Sequence, residues 1–224
     1  MKEYNLIVIG GGPGGITAAR FSKKRKPDWK VALIRKQEKS VIPCALPYAI
    51  DGTIKVEDYI KDDEKLIKSQ GIDLYIREVK KIIPSKNELI TDGNERFKYE
   101  YLILATGSEA VIPDIKGRNL KNVFKIKDHP DILKILDSLS KIKRVAIVGA
   151  GFIGLEIAGA CYNKGLEVVL IEKERCCLVN NLDEEFGNIA TDKLKEKGIK
   201  TYMENRIKEM RGIQKLVMKV LDGL

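Results

Sequence analysis

The sequence has few of the residues that build metal sites and no apolar run long enough to cross a membrane. It contains one histidine and four cysteines, and the cysteines show neither a Cys-x-x-Cys pair nor another metal-ligand spacing. We therefore expect no metal. Free thiols are typical of a reducing compartment, so we expect a cytoplasmic protein, without a signal peptide because a strand begins almost at the N-terminus. No apolar stretch approaches the ~20 residues of a membrane helix, so no membrane partner is expected.

Aromatic residues are also scarce, at 6% of the chain, and they do not alternate with the basic residues. The net charge is +9, and part of it lies in the cluster Lys23–Lys26. Because single-stranded bases stack on aromatic side chains, this charge favours anionic small molecules or plain solubility over nucleic acid. The hydrophobic content of 44% and charged content of 33% indicate a globular chain of one or two domains.

A strand, a glycine-rich loop, a helix and a second strand follow one another near the N-terminus. The run Leu6–Ile9 is typical of a buried parallel strand, Ile16–Lys24 of a helix and Val31–Ile34 of the next strand. The loop is a G-x-G-x-x-G motif, whose glycines allow a tight turn and bring backbone close to a pyrophosphate at the helix N-terminus. The residues expected to contact such a phosphate are Gly10, Gly12, Pro13, Gly14 and Gly15.

The second strand ends in Arg35, where a dinucleotide-binding fold usually has an acid that accepts from a ribose hydroxyl. Arginine has no acceptor, so three interpretations stay open: Glu38 contacts the ribose, backbone holds it, or Arg35 faces a phosphate. Further along, the apolar strand Tyr99–Leu104 is followed by the small residues Thr106 and Gly107, which allow a ligand to approach the backbone closely.

The same pattern recurs in the second half of the chain. Strand Arg144–Val148, helix Leu155–Lys164 and strand Val168–Ile171 surround a second G-x-G-x-x-G motif. Here the strand ends in Glu172, which predicts a preference for NADH over NADPH, because a carboxylate accepts from a 2′-hydroxyl and repels a 2′-phosphate. The nearby positive charges of Lys173 and Arg175 could reduce this preference. The expected dinucleotide contacts are Gly149, Gly151, Phe152, Ile153, Gly154 and Glu172.

Cys44 is the candidate catalytic residue. Pro43 before it and apolar residues after it predict a helix that starts at or near Cys44, and the partial positive charge of a helix N-terminus favours the thiolate. The alternative is a small buried hydrophobic residue, which is the usual environment of a free cysteine.

The rest of the chain predicts the domain organisation. A Pro- and Gly-bounded linker at residues 111–117 separates a first domain, residues 1–110, from a second, residues 118–224. Other expected elements are a helix at Val56–Ser69, a hairpin at Lys80–Thr91 and a hairpin-like stretch at Lys208–Leu224.

These motifs resemble the flavin-dependent pyridine nucleotide-disulfide oxidoreductases over nearly the whole chain. The segments that carry the resemblance are Gly10–Gly15, Cys44–Tyr48, Ala105–Gly107 and Gly149–Glu156. It implies an α/β chain with two Rossmann-like folds, of which the first binds FAD and the second binds NADH, with NADPH possible. Cys44 has no second cysteine nearby, and so the chain is similar to the single-cysteine branch, which includes coenzyme A-disulfide reductases and NADH oxidases.

The resemblance implies an enzyme that passes electrons from NAD(P)H through FAD to Cys44, and on to a coenzyme A disulfide-like or sulfur substrate. It also implies that Thr17, Lys24 and Ser40 contact that substrate, although Thr17 and Lys24 could equally belong to a packed and solvated helix. The alternatives are an NADH oxidase that uses oxygen or peroxide, and a nucleotide-binding chain without turnover. Pro13 stands where some oxidases have a histidine, which disfavours histidine-assisted peroxide reduction.

Family members are longer and form homodimers. Because the resemblance covers only the N-terminal portion of these longer proteins, we expect the second fold to be incomplete and FAD to be held weakly.

Overall fold

A computed structural model shows that the chain divides into two compact units. The described residues are 1–126, 129–211 and 216–219. The first unit comprises residues 1–41 and 60–107, and the second comprises residues 42–59 and 108–224. The segment that carries Cys44 therefore groups with the second unit, and the linear domain boundaries 1–110, 111–117 and 118–224 stay a prediction.

The described chain alternates strands and helices. The strands are β1 Lys2–Ile9, β2 Val31–Arg35, β3 Ser40–Val41, β4 Ile60–Lys61, β5 Ile72–Ile76, β6 Val79–Ile83, β7 Glu88–Thr91, β8 Arg96–Leu104, β9 Val123–Lys125, β10 Arg144–Val148, β11 Glu167–Ile171, β12 Lys200–Tyr202 and β13 Leu216–Lys219. The helices are α1 Pro13–Arg25, α2 Leu46–Asp51, α3 Glu64–Ser69, α4 His129–Leu139, α5 Phe152–Asn163 and α6 Glu184–Glu196. Short 3₁₀ turns lie at Pro43–Ala45, Val56–Tyr59 and Pro84–Lys86.

The first unit is a six-stranded sheet in the order β5-β2-β1-β8-β7-β6. Strand β1 pairs in parallel with both β2 and β8, and the hairpin of β6 and β7 extends the edge next to β8. Leu6 and Val8 pack on one side with Ala19 of α1, whereas Ile7 and Ile9 belong to a cluster on the other. Burial on both faces explains why β1 has a continuous apolar run rather than an alternating one.

The second unit is a parallel five-stranded sheet in the order β12-β11-β10-β13-β9. Strand β10 is followed by the second glycine loop and α5, and β11 returns beside β10 with Val145 opposite Val168. Both units thus place a glycine loop at the carboxyl end of a buried parallel strand, where ligands bind in open α/β sheets. The expected fold class, α/β with two Rossmann-like units, is confirmed.

Two expected elements differ from the structure. The helix expected at Val56–Ser69 is interrupted, because β4 pairs antiparallel with β3 and leaves only a 3₁₀ turn before it and α3 after it. The expected hairpin at residues 208–224 lies partly outside the described residues. Its described strand, β13, is not part of a hairpin but pairs in parallel with both β10 and β9.

None of the helices in the described ranges is long and apolar enough to cross a membrane.

Candidate functional site

The first glycine loop joins β1 to α1 with a geometry that only glycine permits. Gly10 has φ of +118°, and a Cβ on Gly15 would stand 2.0 Å from the Gly10 carbonyl oxygen. Helix α1 therefore starts close against the end of β1, with Gly12 as N-cap and Pro13 in its first turn. The first-turn N–H groups of a helix lack intrahelical partners and attract an anion. Gly10 to Gly15 therefore fit the diphosphate of a dinucleotide.

The end of β8 lies beside this loop. Ala105 N–H donates to the Ile9 carbonyl at 2.8 Å, and a Cβ on Gly10 would meet the Ala105 carbonyl oxygen at 2.0 Å and the Thr106 nitrogen at 3.2 Å. Gly107 follows with φ of +70°. The structure thus brings Thr106 and Gly107 together with the first glycine loop, as the sequence predicted for residues that approach the same ligand.

Arg35 lies in a buried ion pair with Asp63, which the sequence did not predict. Its Nη1 is 2.9 Å from both carboxylate oxygens of Asp63 and donates to the Ser40 hydroxyl at 2.9 Å, while Nη2 donates to the Glu38 carbonyl. The Ser40 hydroxyl also lies 2.5 Å from Asp63 Oδ2 and 3.1 Å from the Gly11 carbonyl. The guanidinium is therefore engaged by protein groups. The sequence contains no signal for this pair, because Asp63 is 28 residues away and lies within the segment that was expected to be helical.

The second glycine loop repeats the geometry of the first. Gly149 has φ of +106°, and a Cβ on Gly154 would stand 2.0 Å from the Gly149 carbonyl oxygen. Glu172 faces this loop: its Oε2 accepts from Ala150 N–H at 2.6 Å and its Oε1 from Glu174 N–H at 3.0 Å. The strand-end acid is therefore held against the second glycine loop, next to the position expected for a ribose.

A cavity of about 1030 Å³ lies over the second loop. Glu172 and Lys173 line it, whereas Arg175 does not and instead pairs with Glu184 at 2.8 Å. The lining residues expected from the sequence are Gly149, Gly151, Phe152, Ile153 and Glu172; those it missed include Cys176, Asn180, Asn181, Asn205 and Arg206. The missed residues follow β11 and β12, so their position at the ends of strands was the available signal.

Cys44 lies in the 3₁₀ turn Pro43–Ala45 and is exposed. The α-helix begins two residues later, at Leu46, so the helix expected at or near Cys44 starts slightly after it. Helix α2 is short, ends at Gly52 with φ of +89° and packs against α5. The thiol is accessible to a soluble disulfide, which the alternative of a buried hydrophobic cysteine did not predict.

The other three cysteines are buried. Burial raises the pKa of the Cys161 thiol to about 12, and burial is also the main cause of the raised pKa of Cys177. Cys177 N–H donates to the Thr191 hydroxyl, while a Cβ on Gly187 would stand 2.6 Å from the sulfur of Cys176. These environments favour unreactive thiols.

A second cavity, of about 510 Å³, lies along α1. It brings together Thr17 and Lys24, two of the three residues expected to contact substrate; the other lining residues are Arg20, Phe21, Lys23, Pro27 and Gln70. Ser40 does not line it. Arg20 donates to Gln70, and Lys23 donates to the carbonyls of Pro27 and Trp29. Arg20 and Phe21 share a helix face with Thr17 and Lys24, so helical spacing could have indicated them.

Among the described residues, no group of three or more His, Cys, Asp or Glu side chains could hold a metal ion.

Comparison with known proteins agrees with this arrangement. The chain is 36% identical over 97% of its length to an NADH oxidase of Methanocaldococcus jannaschii, and 32% identical over its full length to an NAD(P)H coenzyme A polysulfide/persulfide reductase of Pyrococcus horikoshii. It spans 51% of each of these curated relatives.

Solved structures show the same fold. An NAD-dependent persulfide reductase from A. fulgidus superposes with a TM-score of 0.89 at 24% identity, over 96% of this chain and 45% of that one. A water-forming NADH oxidase from Lactobacillus brevis, solved with NADH bound, superposes with a TM-score of 0.87 at 18% identity, over 94% and 48%. The model of the pyridine nucleotide-disulphide oxidoreductase family matches residues 4–223, and the chain belongs to that family.

Proposed function

We propose that this chain belongs to a flavoprotein reductase that passes electrons from NAD(P)H through FAD to Cys44, and from Cys44 to a coenzyme A disulfide-like or sulfur substrate. The observation that carries the proposal is the contrast among the cysteines: Cys44 alone of the four is exposed, and it occurs in a chain with two glycine loops whose geometry fits a dinucleotide diphosphate. The family and the activities for which the relatives are named support the same reaction class.

In this proposal the first glycine loop, with Thr106 and Gly107, holds FAD, and the second loop with Glu172 holds NADH. When bound, FAD supplies two-electron chemistry between a nicotinamide and a disulfide. The protein contributes backbone N–H groups at both helix N-termini, which hold the diphosphates, and the Glu172 carboxylate, which accepts from a ribose hydroxyl.

Cys44 supplies the nucleophile. Its thiolate attacks one sulfur of the substrate disulfide, a Cys44–substrate disulfide forms, and the other substrate sulfur leaves as a thiolate. Two electrons that originate from NADH then cleave the mixed disulfide, which releases the second substrate thiolate and restores the Cys44 thiolate. The exposed turn suits this step, because the attacking sulfur has to approach a disulfide in line.

The cavity along α1 supports an anionic substrate. Its lining contains Arg20, Lys23 and Lys24, and Lys24 is exposed, with no hydrogen bond or ion pair in the described part of the chain. The phosphates of coenzyme A suit such a lining, and Phe21, 57% exposed, offers an apolar surface for the rest of the molecule.

The test is NADH oxidation by FAD-supplemented protein with coenzyme A disulfide or with uncharged hydroxyethyl disulfide. We expect Cys44→Ser to abolish turnover of both, and Lys24→Gln to raise KM roughly tenfold for coenzyme A disulfide alone, since it removes a charge contact. Lys26→Gln, a matched change outside the cavity, should alter neither. Normal turnover by Cys44→Ser would contradict the proposal, and equal KM effects of Lys24→Gln on both disulfides would contradict the coenzyme A assignment.

The second candidate function is an NADH oxidase. The relative at 36% identity carries that name, which is the observation that favours it. Oxygen consumption that is coupled to NADH oxidation without any disulfide, and that survives in Cys44→Ser, would favour this function over disulfide reduction. The stoichiometry is one oxygen per NADH when peroxide forms and one oxygen per two NADH when water forms.

A further inference from the structure

We infer that the first glycine loop recognises its dinucleotide through the diphosphate and not through the adenosine ribose hydroxyls, whereas the second loop recognises the ribose through Glu172. The inference rests on the proposed function, because it assigns FAD to the first loop and NAD(P)H to the second. It explains why the two strand ends carry side chains of opposite charge.

Arg35 and Glu172 occupy equivalent positions. Gly10 N–H donates to the Ile34 carbonyl at 2.8 Å, and Gly149 N–H donates to the Ile171 carbonyl at 2.9 Å. These bonds fix the same register between loop and strand in both units, so the next residue of each strand reaches the same place relative to its loop. That residue is Arg35 in the first unit and Glu172 in the second.

At the second loop the strand-end side chain is an available acceptor. Glu172 lines the cavity, and each of its oxygens accepts one backbone N–H, from Ala150 and from Glu174. A carboxylate oxygen has a further lone pair, so both can still accept from a ribose diol. The bond from Ala150 also fixes the carboxylate next to the phosphate-binding loop.

At the first loop the same position offers no acceptor. The aliphatic stem of Arg35 packs on the loop so closely that a Cβ on Gly11 would stand 2.3 Å from Arg35 Cδ. The guanidinium reaches Asp63, whose side chain is only 10% exposed, and also donates to the Ser40 hydroxyl. The central loop residue differs accordingly: Gly11 accommodates the arginine stem, whereas Ala150 is compatible with the shorter glutamate.

The Gly11 N–H differs from its equivalent for the same reason. Ala150 N–H donates to Glu172, but within the described residues Gly11 N–H has no protein acceptor. The first loop therefore has one more N–H available for a diphosphate oxygen and lacks the acid that a ribose hydroxyl would donate to. Asp63 and Ser40 act through Arg35 and the loop as positioning residues.

The experiment compares ribose-modified dinucleotides on the unaltered protein. FAD and 2′-deoxyadenosine FAD, made from FMN and 2′-deoxy-ATP, are titrated by flavin fluorescence; NADH and its 2′-deoxyadenosine analogue are titrated by nicotinamide fluorescence. At the flavin site we expect the dissociation constant of the deoxy form to exceed that of FAD by less than about threefold. At the nicotinamide site we expect deoxy-NADH to bind about tenfold more weakly than NADH, or weaker still, because only there is a hydrogen bond to a charged group lost.

The outcomes separate the inference from the proposed function. If FAD binds and its deoxy form binds tenfold more weakly, or if deoxy-NADH binds as well as NADH, the inference is overturned and the assignment of cofactors stands. If neither flavin binds, both fail. Glu38→Ala is the matched control for the remaining acid near the strand end, and it should leave the affinities for FAD and for deoxy-FAD unchanged. A loss of affinity confined to unmodified FAD would identify Glu38 as the ribose acceptor and overturn the inference.

Discussion

The four cysteines of this chain differ in burial, and we expect their thiols to differ in reactivity for that reason. Cys44 is exposed in a 3₁₀ turn, while Cys161, Cys176 and Cys177 are buried. At pH 8 we expect one thiol per folded chain to react with 5,5′-dithiobis(2-nitrobenzoic acid), and all four after denaturation. Cys44→Ser should remove the fast-reacting thiol, and Cys161→Ala should keep it. A second thiol that reacts at the same rate in the folded protein would contradict the described burial.

The raised pKa of Cys161 also predicts a pH dependence of stability. Its thiol has an ordinary pKa of 9.0, and burial raises it to about 12. Between these values the unfolded chain releases the proton and the folded chain retains it, so the free energy of unfolding falls as the pH rises above 9. Urea titrations from pH 8 to 11 should show a smaller decline in Cys161→Ala than in the wild type. Equal declines would show that this thiol does not titrate differently on folding.

Glu172 is the residue that should set the nucleotide preference. Replacing it with arginine removes a carboxylate that repels a 2′-phosphate and adds a phosphate partner, so the affinity ratio of NADH to NADPH should fall roughly tenfold or more. The matched control is Glu185→Arg, an exposed position on α6 with the same charge change. Nucleotide titrations that give the same ratio for wild type and Glu172→Arg would place the ribose elsewhere.

At the scale of elements, close contact between a loop and its helix decides which glycines can change. A Cβ on Gly154 would stand 2.0 Å from the Gly149 carbonyl oxygen, whereas one on Gly159, later in α5, would meet no atom within 4 Å. Gly154→Ala should lower the free energy of unfolding by about 1–3 kcal/mol through overpacking. Gly159→Ala should raise it by roughly 0.5–1 kcal/mol through helix propensity. Denaturant titrations that give both changes the same sign would contradict the loop geometry.

The buried ion pair of Arg35 and Asp63 lies beside the first glycine loop, and its contribution to the free energy of unfolding can be measured. Asp63→Asn leaves a buried guanidinium without its counter-ion and should cost about 3 kcal/mol or more in the free energy of unfolding. The same change at Asp137, which forms an exposed i,i+4 pair with Lys141, should cost less than about 0.5 kcal/mol. Similar costs at the two positions in denaturant titrations would show that Arg35 is not enclosed as described.

Local patterns predicted the elements and loops, but not the partners brought together by the fold. The run Leu6–Ile9 and the two G-x-G-x-x-G motifs are local signals, and the structure has strands, loops and helices there. The pair of Arg35 and Asp63 depends on β4 returning beside β3, which no local periodicity specifies. For the same reason the sequence suggested a continuous helix at Val56–Ser69, where pairing with β3 replaces helical hydrogen bonds by a strand.

At the scale of the whole molecule, the chain consists of two units built alike, each with a parallel strand that ends at a glycine loop and a helix N-terminus. The sequence predicted this repeat because the motif spacing repeats. It did not predict that residues 42–59, which carry Cys44, group with the second unit, because that assignment depends on packing such as that of α2 on α5.

In the proposed function, electrons from NADH reach Cys44 through bound FAD. The most direct measurement starts from protein whose Cys44 has been converted to a mixed disulfide with coenzyme A, mixed without oxygen with FAD and NADH, and analysed by intact mass. We expect coenzyme A to leave Cys44 only when FAD and NADH are both present, with one NADH oxidised for each coenzyme A released. If the mixed disulfide survives while NADH is oxidised, or is cleaved equally well without FAD, electrons do not reach Cys44 by this route.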